Sequence, residues 1–324
     1  FDNEPAELEA LSRLVFGEML GQFQRLENFV DTRKERAIGL LRAIGLEPHV
    51  PVLRVVLPAG ISFYTFQTLG YTIDIHRRQF TPTRDPIAFG AFVAFFPQLV
   101  AGPIERARDL LPQFMRPRAF DRAQAADGLR QMLWGFFKKI AVADPLAAMA
   151  DAAFGLDPQA ASGAALFFGA LAFAFASYGD FSGYSDIAIG CARLFGFRLS
   201  RNFAYPYFSR SIGEFWRRWH ISLSAWLRDY VYRPLGGGRG RAGRLRNILI
   251  TFAVSGLWHG AAWHYVAWGL LNGLYYVPEV LRGRRPLVDG APAWRDLPRI
   301  LSVFAAVVVA WVFFRAGSVG HAAA

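Results

Sequence analysis

Two histidines stand in surroundings that demand an explanation. His220 lies in a basic, aromatic run, Phe215-Trp-Arg-Arg-Trp-His-Ile-Ser-Leu-Ser224, and His259 lies in an apolar one, Leu257-Trp-His-Gly260. An ionisable group at membrane depth is costly, which makes it a candidate functional site. A neutral imidazole accepts a proton from a hydroxyl at neutral pH, and burial favours the neutral form. Such an imidazole could serve as a general base, for example toward a hydroxyl that attacks a carbonyl group. General-base help of this kind contributes about 10²–10⁴-fold. The rest would come from positioning and from donors facing the carbonyl oxygen. The competing assignment for a lone buried histidine is a structural hydrogen bond.

Other chemistries fit less well. His259 and His264 are i and i+5, about 140° apart on a helix, so they do not share a face as the i, i+4 pair of a zinc helix does. No Asp or Glu lies between Asp229 and Glu279 to help, and a bound metal is not expected. Gly183-Tyr-Ser185-Asp-Ile187 ends in Ile where a serine-hydrolase elbow needs Gly. Gly238-Arg-Gly240-Arg-Ala-Gly243 matches a dinucleotide fingerprint in letters only, with no strand before it and no acidic residue at the right distance after it. It reads as a flexible basic loop. Its Arg239 and Arg241, with Arg244 and Arg246, serve as a topology signal or meet the phosphates of a donor or an acidic carrier. Asp180 and Asp186 either do acid–base work or cap a helix or pair with arginines.

The elements that must hold these residues are apolar runs. Of the 324 residues, 53% are hydrophobic, including 30 Phe and 9 Trp. A bilayer core takes about 20 apolar residues per helix. Val55–Ile73, Pro86–Ile104, Pro158–Gly179 and Asn247–Pro278 carry no Asp, Glu, Lys or Arg, and Ile300–Phe314 is a shorter example. These predict an all-α, polytopic membrane protein. Pro97 and Gly102-Pro103 predict re-entrant breaks in the second run. Leu129–Ala150, interrupted by Lys138 and Lys139, is a weaker span with snorkelling lysines. Gly256 and Gly260 bracket His259 and predict a kink or a close backbone approach. Ile212–Tyr232, with Trp216, Trp219, Trp226, Tyr230, Tyr232 and three arginines, predicts an amphipathic interfacial helix. Residues 1–47 are polar and form an amphipathic segment preceding the membrane core at 48–324. The net charge of +11 is carried by arginines flanking apolar runs, which fits positive-inside anchoring rather than nucleic-acid binding. The lone Cys191 excludes an internal disulfide.

Several blocks occur together in order: Pro58-Ala-Gly-Ile-Ser-Phe-Tyr-Thr-Phe-Gln67, Phe95-Phe-Pro-Gln-Leu-Val-Ala-Gly-Pro-Ile104, Asn202-Phe-Ala-Tyr-Pro-Tyr207, Phe215 to Ser224, Tyr230-Val-Tyr-Arg-Pro-Leu-Gly-Gly237 and Leu257 to Gly260. In this order they resemble the membrane-bound O-acyltransferase family, in the branch of the alginate O-acetylation membrane component, with the D-alanyl transferase of teichoic acids as a relative. The resemblance runs from about residue 50 to about residue 316. It implies a multi-pass protein of the bacterial inner membrane, with funnels from both faces meeting near His259 as catalytic base. His220 would contact the donor or assist catalysis; its alternative role is an interfacial histidine ordered by Trp216 and Trp219. Asn202, Tyr207, Asp186, Trp219, Trp258 and Arg217 are further candidates for lining the pore or binding substrate. No cofactor is implied. The donor would be acetyl-CoA or another acyl thioester from the cytosol, and the acyl group would pass to periplasmic acetyltransferase partners acting on an exopolysaccharide. Aminoacyl transfer from a carrier protein, a transporter with proton-relaying histidines and a non-catalytic scaffold are the alternatives. The chain opens at Phe1 and is expected to be part of a longer protein.

Overall fold

The computed structural model describes residues 60–236, 240–260, 262–283 and 290–323. Residues 62–324 fall in one unit. The expected amphipathic segment 1–47 and the start of the first apolar run lie outside the described residues. Every regular element among the described residues is helical. Among the described residues, two helical segments are long and apolar enough to cross a membrane, Gly163–Leu194 and Trp294–Arg315.

The first elements are α1 (Ile61–His76), α2 (Pro86–Val93) and α3 (Ala107–Phe114). Asp85 starts α2: its side chain accepts from the amides of Ile87 and Ala88, and Pro86 fills a position with no amide to satisfy. The run 86–104 is therefore not one span. It stops after eight residues and turns through Pro97 and Gly102, as the prolines foretold. Gly102 is obligatory, because a Cβ there would lie 2.4 Å from Gln98 Cα.

Next come α4 (Arg122–Phe136), a π-helical turn (Phe137–Ala143) and α5 (Asp144–Phe154), all packed on α6 (Gly163–Leu194). The contact is backbone on backbone. A Cβ on Gly128 would meet Gly190 O at 2.6 Å, and one on Gly135 would meet Gly183 O at 2.6 Å. Such small-residue seams let helices approach closely. At 32 residues, α6 is roughly 48 Å long and outruns the expected span, Pro158–Gly179. Asp180 and Asp186 consequently sit inside a helix, not at its cap. Their partners are lysines rather than arginines: Lys138 Nζ lies 2.5 Å from Asp186 Oδ2, and Lys139 Nζ lies 2.8 Å from Asp180 Oδ1 and 2.7 Å from Asp144 Oδ1. The π turn carries both lysines to α6, so they are paired rather than snorkelling.

The predicted helix over Ile212–Tyr232 is broken. It consists of α7 (Ile212–Arg218), α8 (Ile221–Leu227) and a π turn (Arg228–Tyr232), with Trp219 and His220 at the break. Trp219, Trp226 and Tyr230 are buried, so they are core residues rather than an interfacial belt. The predicted basic loop is also revised. Gly240 starts α9 (Gly240–His259), which places Arg241, Arg244 and Arg246 on a helix, while 237–239 lie outside the described residues. α10 (Trp263–Tyr275) returns along α9. Gly256 and Gly269 make that return possible, since a Cβ on either would strike the facing carbonyl of Tyr265 or Phe252 within 2.3 Å. After α11 (Val277–Arg282), α12 (Leu297–Arg315) supplies Trp311 and α13 (Val319–Ala323) ends the described chain. The main apolar cluster gathers Phe203, Phe215, Trp219, Trp268 and Trp311 from five different segments.

Candidate active site

His220 owes its position to the break between α7 and α8. Its backbone is left-handed, φ 43° and ψ 57°, which a residue with a Cβ adopts only where the surroundings impose it. The imposing element is the segment at Asn202. Ile221 N–H donates to Asn202 O at 2.9 Å, and Ala204 N–H donates to Arg218 O at 2.9 Å. These two bonds pin the chain on both sides of the break. Glu214, 1% exposed, holds α7 from the other end by accepting from Arg210 and Arg218.

The His220 side chain is then fixed by a buried polar network. Its Nδ1 lies 3.1 Å from Asn202 Oδ1. The same oxygen accepts from Ser222 Oγ at 2.9 Å and from Ser222 N at 3.3 Å. Asn202 Nδ2 donates to Ser185 Oγ at 3.2 Å, and Ile104 N donates to Ser222 Oγ at 2.9 Å. Phe181 meets the imidazole edge-on at 4.6 Å, and Phe203 stacks at 6.5 Å. His220 Nε2 is buried without a hydrogen-bond partner. A buried polar atom left in that state costs about 1–3 kcal/mol, and such a group calls for a structural or functional explanation.

His259 ends α9, immediately before the Gly260 break. Its ring sits among aromatics: Trp258 at 4.5 Å, Trp268 at 5.1 Å and Phe314 at 5.0 Å. Trp268 stacks on Trp311 at 6.0 Å, and Trp311 touches Trp219 at 4.9 Å. An aromatic wall thus runs from His259 to the residue preceding His220. His264 is on α10, with Nδ1 3.2 Å from Phe313 O, so it belongs to a different helix from His259. Among the described residues no three His, Cys, Asp or Glu side chains converge as a metal set.

The remaining sequence candidates divide. Asn202 joins His220 directly. Trp219 and Trp258 form the wall. Tyr207 stands one layer behind, donating to Ala174 O at 2.6 Å and packing on Trp219. Asp186 is committed to Lys138 and to Gln131, 2.8 Å away. Arg217 is exposed on α7 and is not part of the His220 network. Sequence inspection missed Ser222, Ser185 and Phe181. Only Ser222 carried a signal, as a hydroxyl at the start of a helix two residues after the histidine.

On one side the Ser222 end of this network borders an open cavity of about 380 Å³, where Arg106, Arg108, Arg198, Arg201 and Arg228 face Glu105 and Asp229. Arg106 is engaged with Asp229 at 3.0 Å and lies over the Tyr230 ring. Glu105 is buried and accepts from Ser200 N at 2.5 Å and Ser200 Oγ at 2.8 Å. Burial pushes its carboxyl from the ordinary 4.5 up to about 7 against those two bonds, with Asp109 adding to the rise.

Comparison with known proteins gives this arrangement a context. The chain is 44% identical over 299 residues to the "Probable alginate O-acetylase AlgI" of Azotobacter vinelandii, covering 92% of this chain and 58% of that protein. It is 36% identical over 300 residues to the "Peptidoglycan O-acetyltransferase" of Helicobacter pylori, covering 83% and 56%. It is 31% identical over 238 residues to the "Teichoic acid D-alanyltransferase" of Streptococcus thermophilus, covering 66% and 55%. The chain spans somewhat over half the length of these curated relatives. A family model described as MBOAT, membrane-bound O-acyltransferase, matches residues 75–285. Because that match takes in the Asn202 segment, both histidines and the cavity, the chain belongs to the membrane-bound O-acyltransferase family.

Proposed function

We propose that this chain forms the acyl-transferring core of an integral-membrane O-acyltransferase. It moves an acetyl group from a cytosolic thioester to a hydroxyl acceptor, for O-acetylation of an alginate-type exopolysaccharide. The observation that carries the proposal is the aromatic wall linking His259 to the turn that bears His220, whose buried Nε2 has no hydrogen-bond partner. In the reaction, the acceptor oxygen attacks the thioester carbonyl and its proton passes to His259. The C–S bond then breaks, the new ester leaves with the acyl group, and the thiolate takes the proton from His259. The aromatic rings packed on His259 would limit water at the reacting atoms and so suppress wasteful hydrolysis. Of the cavity arginines, Arg106 and Arg228 are paired with Asp229 and Arg108 with Asp109, so Arg198 and Arg201 are the ones that would meet the phosphates of acetyl-CoA.

The protein would be a multi-pass component of the bacterial inner membrane, handing acyl groups to periplasmic acetyltransferases. Higher identity to the acetylases than to the D-alanyltransferase, 44% against 31%, favours acetyl over D-alanyl transfer. The deciding experiment compares acetyl-CoA turnover by the full-length protein and by His259→Ala in reconstituted membranes. Turnover falling at least 100-fold, in line with loss of a general base, supports the mechanism. Equal turnover removes His259 from it. Activity with an aminoacylated carrier protein in place of acetyl-CoA would reassign the donor.

A further inference from the structure

The carboxamide of Asn202 has only one orientation compatible with its neighbours. The backbone N–H of Ser222 points at it from 3.3 Å and can only donate. Ser222 Oγ accepts from Ile104 N at 2.9 Å and keeps its own hydrogen to donate to Asn202, 2.9 Å away. Two donors therefore face one Asn202 atom, and that atom must be the oxygen. Rotating the carboxamide would set its NH₂ against both, and would also turn the carbonyl toward Ser185. The His220 nitrogen that faces the same oxygen at 3.1 Å must then carry a hydrogen. What remains is Nε2 with its lone pair, buried and unpartnered.

We infer that Asn202 is a positioning residue that locks His220 in the Nδ1–H tautomer, so that Nε2 is held as an acceptor for an O–H or N–H of the bound substrate. The lock is built from three segments that are distant in the chain. Asn202 supplies the oxygen, Ser222 at the start of α8 orients it, and Ser185 on α6 receives its amide. The left-handed backbone at His220 and the Ile221 bond to Asn202 O hold the ring's origin, while Phe181 and Phe203 bracket the ring itself. A neutral His220 thus cannot present an N–H to the substrate without breaking a buried contact. The inference depends on the acyl-transfer proposal only for what it says about turnover, since the tautomer can be observed without any reaction.

The test uses full-length protein with ¹⁵N-labelled histidine in detergent, with the His220 resonances assigned by His220→Gln. The expected wild-type spectrum shows Nδ1 protonated and Nε2 bare. In Asn202→Ala the preference is expected to be lost, and kcat for acetyl transfer to fall roughly 10–100-fold, as for other partners that orient a working histidine, with KM nearly unchanged. Asn202→Asp keeps an acceptor oxygen in place and is expected to restore the Nδ1–H tautomer and most of kcat. A wild-type spectrum with the proton on Nε2, or an unaltered tautomer in Asn202→Ala, overturns the inference. The wild-type spectrum decides the matter alone if Asn202→Ala does not fold. An Nδ1–H spectrum in a wild type that turns over no thioester supports the assignment of Asn202 while overturning the acyl-transfer proposal.

Discussion

Replacing Glu105 by Gln should remove one pH dependence of stability and leave the rest. The carboxyl is buried beside the cavity and accepts two bonds from Ser200, yet it holds its proton up to about pH 7. In an unfolded chain it would ionise near 4.5. Between those values the folded protein binds more protons than the unfolded one, so stability falls as pH rises. At 1.36 kcal/mol per pKa unit the full effect is about 3 kcal/mol, most of which lies between pH 5 and pH 8. Glutamine cannot ionise but keeps an oxygen for Ser200. The difference in stability between Glu105→Gln and the parent should therefore be small at pH 5. It should grow in favour of the variant by about 2–3 kcal/mol at pH 8. Calorimetric melts in one detergent across that range give the difference directly, with all other titrating groups cancelling. Parallel curves, with an offset independent of pH, would show that Glu105 is ionised throughout and that the account of its burial is mistaken.

Three further outcomes can be checked. Gly183→Ala puts a methyl 2.8 Å from Gly135 O and should cost about 1–3 kcal/mol by overpacking, whereas Gly163→Ala, with open space around it, should gain up to about 1 kcal/mol; melts of both variants with the same sign would refute the seam. Lys138→Met leaves Asp186 without its cation and should cost about 3 kcal/mol or more, and adding Asp186→Leu should recover much of that; a double variant as unstable as the sum of the singles would deny the pairing. His220→Ala should lower acetyl transfer without changing the melting temperature by more than a few degrees, and an unimpaired turnover number would sever His220 from the reaction.

The sequence announced the apolar character of the chain, the turns at Pro97 and Gly102 and the break after His259, because prolines and glycines act locally. It also singled out both histidines, since an imidazole among apolar or aromatic neighbours is conspicuous. The break at His220 was not legible. Neither Gly nor Pro marks it, and the left-handed backbone there is enforced by Asn202, eighteen residues earlier. The partners of Asp180 and Asp186 were hidden for a related reason. They arrive from a π turn on a separate helix, and a π turn has no side-chain signature. The aromatics of 212–232 were misplaced because the pattern that suits a membrane interface also suits a core in which several tryptophans meet.

The bare-backbone contact between α4 and α6 has a consequence for motion. Gly128 and Gly135 are seven residues apart, as are Gly183 and Gly190, and each sits over a carbonyl of the other helix. Sliding by a single position would ram a side chain into every one of those oxygens, so the pair behaves like a keyed shaft with no neighbouring notch. Any rearrangement that admits or releases substrate must carry both helices together. Ser185 on α6 travels with that block, and the Asn202 amide it receives ties the His220 network to the same motion.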